Sequence, residues 1–186
     1  TKIRGVFSGS LSYIFNAFGN GNLSFSEVLG RAVKKGFTEP DPREDLNGND
    51  VARKLLILAR ELDLHNELED VKVESLVPES LRNSAKEEFL NALNQLDIPF
   101  KIKKVNCPKD KVLRYVAELS GNLSKNDGAV LEVKLVPVLR NSAIGQLSGS
   151  DTIFEIYTKN YGKNPIVIQG AGAGAEVTAR GVFGDI

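Results

Sequence analysis

Ala129-Val130-Leu131-Glu132-Val133-Lys134-Leu135-Val136 puts an apolar side chain at every odd position and mixes charge with valine at the even ones. Successive side chains of a strand point to opposite faces, so this is the period of a β-strand with one buried and one wetter face. Strand formers also crowd residues 112–119, 152–158 and 165–168, and turns rich in Gly, Asn and Ser part these segments.

Upstream the period changes to that of helices. Leu11, Ile14, Phe15 and Phe18 fall at helical spacing over 11–18, after Ser8-Gly9-Ser10. Those three residues read either as a plain serine N-cap or as backbone amides that welcome an anion. A helix over 24–35 has the capping box Ser24/Glu27, a C′ glycine at Gly36, and the apolar face Phe25, Val28, Leu29 and Val33. A helix over 50–62 carries the stripe Val51, Leu55, Leu58, Ala59 and Leu62. A further helix is expected over 84–96 with the box Ser84/Glu87, and a last one over 176–186. Residues 1–7 and 71–77 read as short strands, and 101–105 fits either state. Helices in front and strands behind predict an α+β fold, a mixed sheet with helices packed on one face, as one domain over 1–186.

The bulk numbers narrow the function. Lys plus Arg and Asp plus Glu are 24 each in 186 residues, which gives no support to nucleic-acid or anionic-membrane binding. No apolar run approaches the ~20 residues of a membrane span, and no signal-peptide pattern is present. Cys107 is alone, in a Cys-Pro turn without a second metal ligand nearby, which fits a reducing, cytoplasmic compartment. His65 follows a helix end and has no partner motif, so it reads as a surface or capping residue. The chain has no methionine and begins with a strand already under way, so a piece of a longer polypeptide is expected.

Chemistry concentrates in Phe37-Thr38-Glu39-Pro40-Asp41-Pro42-Arg43-Glu44-Asp45-Leu46-Asn47-Gly48-Asn49-Asp50-Val51-Ala52-Arg53-Lys54. Glu39 and Asp41 each precede a proline, which favours extended backbone. Asp50 and Lys54 fall one helical turn apart. A carboxylate so held can grip an ammonium group, and a lysine beside carboxylates can donate a proton. Clustered carboxylates also suit a hard cation, but the EF-hand order is missing, so no metal is assigned. A salt-bridged surface loop would read much the same.

Gly170-Ala171-Gly172-Ala173-Gly174-Ala175 matches the dinucleotide fingerprint between a strand and a helix, yet only eleven residues follow Ala175, too few for a Rossmann unit. Bare backbone there still permits close approach of a flat ligand.

The motif over 36–54 closely resembles the signature of homoserine dehydrogenase. So do residues 5–14, Val112-Leu113-Arg114-Tyr115-Val116-Ala117, Gly149-Ser150-Asp151 and the end of the chain from Gly170. The resemblance implies NADPH- or NADH-dependent interconversion of L-aspartate 4-semialdehyde and L-homoserine, in the pathway to threonine, methionine and isoleucine. Carried over by position, Lys54 is the general acid and Glu39 a ligand of the substrate amino group. Asp45 and Asp50 orient the substrate, Ser10 lies at the substrate–cofactor boundary, and Gly172 and Gly174 touch the nicotinamide cofactor. Glu44 stands where the family usually has aspartate. The resemblance further implies a fold similar to the C-terminal domain of glyceraldehyde-3-phosphate dehydrogenase, a homodimer, and an upstream Rossmann domain that this chain lacks. Residues 170–186 would contact that domain. The parent could be fused to aspartate kinase, and would be plastidial if a plant protein. Alone, the chain could be a ligand-binding and dimerisation module without turnover.

Overall fold

The computed structural model describes residues 2–124 and 128–184. Among the described residues one sheet has six strands: β1 (Lys2–Val6), β2 (Lys72–Val73), β3 (Lys111–Gly121), β4 (Ala129–Leu139), β5 (Asp151–Tyr157) and β6 (Ile166–Ala171), in the order β2-β4-β3-β1-β5-β6. All neighbours are antiparallel except β2 and β4, so the sheet is mixed and the fold is α+β. The alternation seen in sequence is realised in β4: Leu131 and Val133 are buried, while Glu132 and Lys134 face away and pair with each other.

Eight helices accompany the sheet among the described residues: α1 (Gly9–Asn20), α2 (Phe25–Lys34), α3 (Arg43–Leu46), α4 (Asn49–Arg60), α5 (Lys86–Asn91), α6 (Asp97–Val105), α7 (Ala143–Gln146) and α8 (Ala175–Gly184). Helices α1, α2, α4 and α6 cover one face and form the main core with Leu113, Tyr115, Ala117, Leu119, Leu131 and Val133. Phe25 stacks on Phe100 with ring centroids 3.7 Å apart, and Phe18 meets Phe25 edge-on at 5.5 Å, which locks α1, α2 and α6 together. On the other face short α7 packs over Val112, Val116, Val138 and Ile153. None of the helices among the described residues is long and apolar enough to cross a membrane.

Local capping explains where α1 and α2 begin and α2 ends. Ser8 caps α1 by accepting the Leu11 N–H at 3.2 Å. The Ser24/Glu27 box forms as expected, and Gly36 at φ +68° lets Phe37 N–H reach Ala32 O at 3.1 Å.

Several expectations are corrected. The strand over 71–77 shrinks to two residues, because the chain turns away after Glu74 and Leu76 N–H bonds Leu46 O instead of the sheet. The single helix expected over 84–96 is the shorter α5 followed by a 3-10 turn at Leu93–Leu96, and a separate helix, α6, begins at Asp97 and takes in 101–105. Ser84 does not cap α5: its hydroxyl donates to Leu81 O, and the helix starts after Ala85 without a side-chain cap. In α2 the buried residue is Ala32 rather than Val33, and α4 ends at Arg60, so Leu62 lies beyond it and outside the core while Ala52 is inside it. The loop expected over 37–49 contains α3, and α7 was not expected. The final helix starts at Ala175, and residues 185–186 lie outside those described.

Candidate active site

Elements α1, α3 and α4 converge on one cavity of about 470 Å³. Ser8 enters it from α1, Glu39, Glu44 and Asp45 from the loop and α3, and Asn49, Asp50 and Arg53 from α4. The sequence dictates this turn of the chain. Gly48 sits at φ +78° as the cap of α4, a conformation costly to other residues, and a Cβ there would run into the Tyr115 hydroxyl and Val73. Asn47 Oδ1 accepts the Asn49 N–H at 2.8 Å and starts α4 where no side chain caps it. The amino-terminal ends of α1 and α4 therefore border the cavity together, each offering unpaired amide character to a negative group.

The two carboxylates on either side of Pro42 have different fates. Asp41 is gripped by Arg43, with Nη2 to Oδ2 at 2.6 Å, and that guanidinium holds its carboxyl below the usual range. Arg43 also donates to Leu81 O and Ser84 O and lies over the Phe89 ring, so the pair fastens the loop to the 81–89 segment. Asp45 instead points inward. Its Oδ1 accepts the Ser10 hydroxyl at 2.6 Å and its Oδ2 the Glu39 N–H at 2.9 Å. Burial pushes the Asp45 carboxyl up, against the opposing pull of those two hydrogen bonds.

Lys54 Nζ lies 2.8 Å from Asp50 Oδ2 and donates to Phe7 O at 3.1 Å. An ammonium has three donors, so one remains for a ligand oxygen. The Lys54 and Asp50 side chains are 48% and 58% exposed, so the pair is open to solvent. Ser10, Glu39, Asp45, Asp50 and Lys54 are thus brought together: five line or adjoin one cavity, Ser10 through Asp45 and Lys54 through Asp50.

Gly172 and Gly174 are not among the residues that line the cavity; their turn packs against the start of α1. Gly9 of α1 packs so tightly on the glycine-rich turn that a Cβ there would come within 2.5 Å of the Gly172 carbonyl carbon. Gly172 N–H donates to Ser150 O at 3.2 Å. Gly174 has φ +127°, and a Cβ on it would meet no atom within 4 Å among the described residues. Sequence reasoning missed Ser8, Asn49 and Arg53 in the cavity. Arg53 follows Asp50 by three residues, the helical spacing that would have placed it on the same side. Among the described residues, no three His, Cys, Asp or Glu side chains converge in a way that could hold a metal ion.

Comparison with known proteins places this geometry in context. The family profile described as homoserine dehydrogenase matches residues 1–186. The chloroplastic bifunctional aspartokinase/homoserine dehydrogenase of Daucus carota is 49% identical over the whole chain, which covers 20% of that protein. The homoserine dehydrogenase of Paracoccidioides brasiliensis is 44% identical over the whole chain and 51% of its own length. A crystal structure of a Candida auris protein of unknown function superposes with a TM-score of 0.83 at 41% identity, over 99% of this chain and 51% of that one. The Staphylococcus aureus homoserine dehydrogenase, at 20% identity and TM-score 0.71, shares the fold over 100% of this chain and 41% of its own. The chain spans about half the length of its fungal relatives and about a fifth of the bifunctional ones.

Proposed function

The chain belongs to the homoserine dehydrogenase family, and on that premise we propose that it is the substrate-binding half of an enzyme interconverting L-homoserine and L-aspartate 4-semialdehyde. The observation that carries this reading is the convergence of Asp45, Glu39, Asp50 and Lys54 on one cavity. Its carboxylates suit the substrate ammonium, and the amino-terminal ends of α1 and α4 suit the substrate carboxylate. Glu39 and Asp45 bind the amino group, and Asp50 orients Lys54. A nicotinamide cofactor, NADP or NAD, supplies the hydride when bound, with Gly172 and Gly174 at its edge. In the reducing direction Lys54 gives a proton to the carbonyl oxygen as the carbon gains hydride; in the oxidising direction it takes that proton from the hydroxyl. Phe7 O holds Lys54 Nζ at 3.1 Å, so the ammonium is placed before substrate arrives.

Within this reading residues 1–186 form one domain, and residues 170–186 contact a nucleotide-binding domain supplied by the rest of the longer protein. Cover from that domain would exclude water from the exposed Asp50–Lys54 pair. The sheet face that α7 leaves open carries Lys2, Arg4, Glu118 and the buried Glu155, and would pair with a second copy in a homodimer. The full-length protein is expected to reduce NAD⁺ or NADP⁺ with L-homoserine, and absence of turnover with either refutes the reading. A second reading holds for the isolated 186-residue chain, a ligand-binding and dimerisation module without turnover, because most of the surface for a dinucleotide is absent from it. Measurable turnover by the isolated chain refutes that.

A further inference from the structure

Arg114 is the odd residue of the sheet. It stands on β3, is 2% exposed, and among the described residues its guanidinium meets no carboxylate. Its contacts are all neutral oxygens: Leu113 O at 2.9 Å, Ile144 O at 3.3 Å, Gly145 O at 3.0 Å, Leu147 O at 3.3 Å and Asn16 Oδ1 at 2.8 Å. A buried charge is costly without an ionic partner, so a fork spread over four carbonyls and an amide needs a reason beyond packing. Three of those carbonyls belong to α7 and the segment that follows it. Asn16 continues the chain of contacts: its Nδ2 donates to Gly149 O at 3.0 Å. The next residue, Ser150, accepts the Gly172 N–H at 3.2 Å and lies 3.5 Å by its hydroxyl from Ala173 O. A Cβ on Gly172 would collide with Thr152 and crowd Ser150 O, so the turn has no slack against this segment.

We infer that Arg114 and Asn16 are positioning residues that set the glycine-rich turn, and through it the cofactor edge, relative to the substrate cavity. Both ends of the relation run through α1. Ser10 in its first turn holds Asp45, Gly9 touches Gly172, and Asn16 two turns later anchors the segment behind that turn. The inference rests on the reading of Gly172 and Gly174 as a cofactor contact.

Asn16→Asp separates positioning from stability. The carboxylate keeps the acceptor for Arg114 and gives it the ionic partner it lacks, while an oxygen replaces the donor that faced Gly149 O. In the full-length protein the variant is expected to melt no lower than wild type. It should bind NADPH about five- to tenfold more weakly by fluorescence titration, with the KM for L-homoserine within about twofold, since one hydrogen bond to the turn's support is lost. Without cofactor, hydrogen exchange should rise in residues 145–150 and 170–174 and stay unchanged in 39–46. Arg114→Lys, which keeps charge but not the fork, should shift exchange and NADPH affinity in the same direction. Unchanged NADPH affinity in Asn16→Asp overturns the inference. If Gly174→Val weakens NADPH binding in the same assay, the cofactor reading survives that loss; if it does not, both fall.

Discussion

Replacing Asp45 by asparagine separates the cost of holding a carboxylate in the cavity from its use there. The wild-type carboxylate accepts from Ser10 at 2.6 Å and from the Glu39 N–H at 2.9 Å. Asparagine has the same shape. Its oxygen can keep the Glu39 amide, and its NH₂ can donate to Ser10 Oγ, whose own hydrogen then turns to Ser8 Oγ at 2.8 Å. The connections survive and the charge goes. A hydrogen bond to a charged group contributes about 1.5–3 kcal/mol and a neutral one about 0.5–1.5, so the two bonds weaken by about 1 kcal/mol each. Against this stands desolvation, the largest influence on Asp45, which raises its folded-state pKa above the ordinary 3.8. Between those two values the folded chain binds more protons than the unfolded one, so stability falls as pH rises through that window. The ionised group is therefore a net cost at neutral pH, and its neutral isostere escapes it. Asp45→Asn is expected to melt at or above the wild-type temperature at pH 7, with the difference closing as the pH is lowered towards 3.8. Its kcat/KM for L-homoserine should fall roughly 10- to 150-fold, the loss of one charge-assisted contact to the substrate ammonium. Thermal melts across the acid-to-neutral range and steady-state kinetics on the full-length protein measure both. A variant that melts lower, with a deficit that widens as pH rises, and turns over normally would make Asp45 a structural anion and refute the reasoning.

Other residues give independent checks. Gly48→Ala adds left-handed backbone strain and displaces the Tyr115 hydroxyl from Glu74 O, where it sits at 2.7 Å; a loss of about 2–4 kcal/mol in denaturant unfolding is expected. Asp41 is held below 3.8 by Arg43, so its contribution is present above that value and lost on acidification. Arg43→Gln should flatten the acid limb of the stability profile, and an unchanged limb would discard the clamp. Gly174→Val forces a branched side chain onto φ +127° at the bare turn, so NADPH should bind more weakly in a fluorescence titration; equal affinity would remove the turn from the cofactor site.

Much of the fold was readable where a period ran long enough. The alternation over 129–136 and the stripes of α1, α2 and α4 are set by which side chains are buried, and burial follows the period directly. The region 84–96 misled because Phe89, Leu96 and Phe100 all enter one core. The break falls at Ala92, which has non-helical backbone and no Gly or Pro to announce it. Helix α7 has four residues, too few for any period. In the site, the Asp50–Lys54 spacing was local and gave the contact seen at 2.8 Å. The Ser10–Asp45 hydrogen bond joins residues 35 apart, and nothing local distinguishes Asp45 from Asp41, which goes to Arg43. The family resemblance names Asp45 and not Asp41, a choice residue chemistry alone does not make. Arg114, inside an apolar strand, gave no sign in the sequence that five oxygens wait for it.

The central claim is that Lys54 moves the proton on the substrate oxygen. The Asp50–Lys54 pair is exposed and contributes only about 0.3–0.5 kcal/mol to stability, so Lys54→Ala should leave the fold intact. Steady-state oxidation of L-homoserine by the full-length protein and this variant is the direct measurement. The account predicts a kcat lower by about 10²- to 10⁴-fold, the usual worth of a positioned acid–base group, with KM little changed. Equal kcat in a folded variant would contradict it.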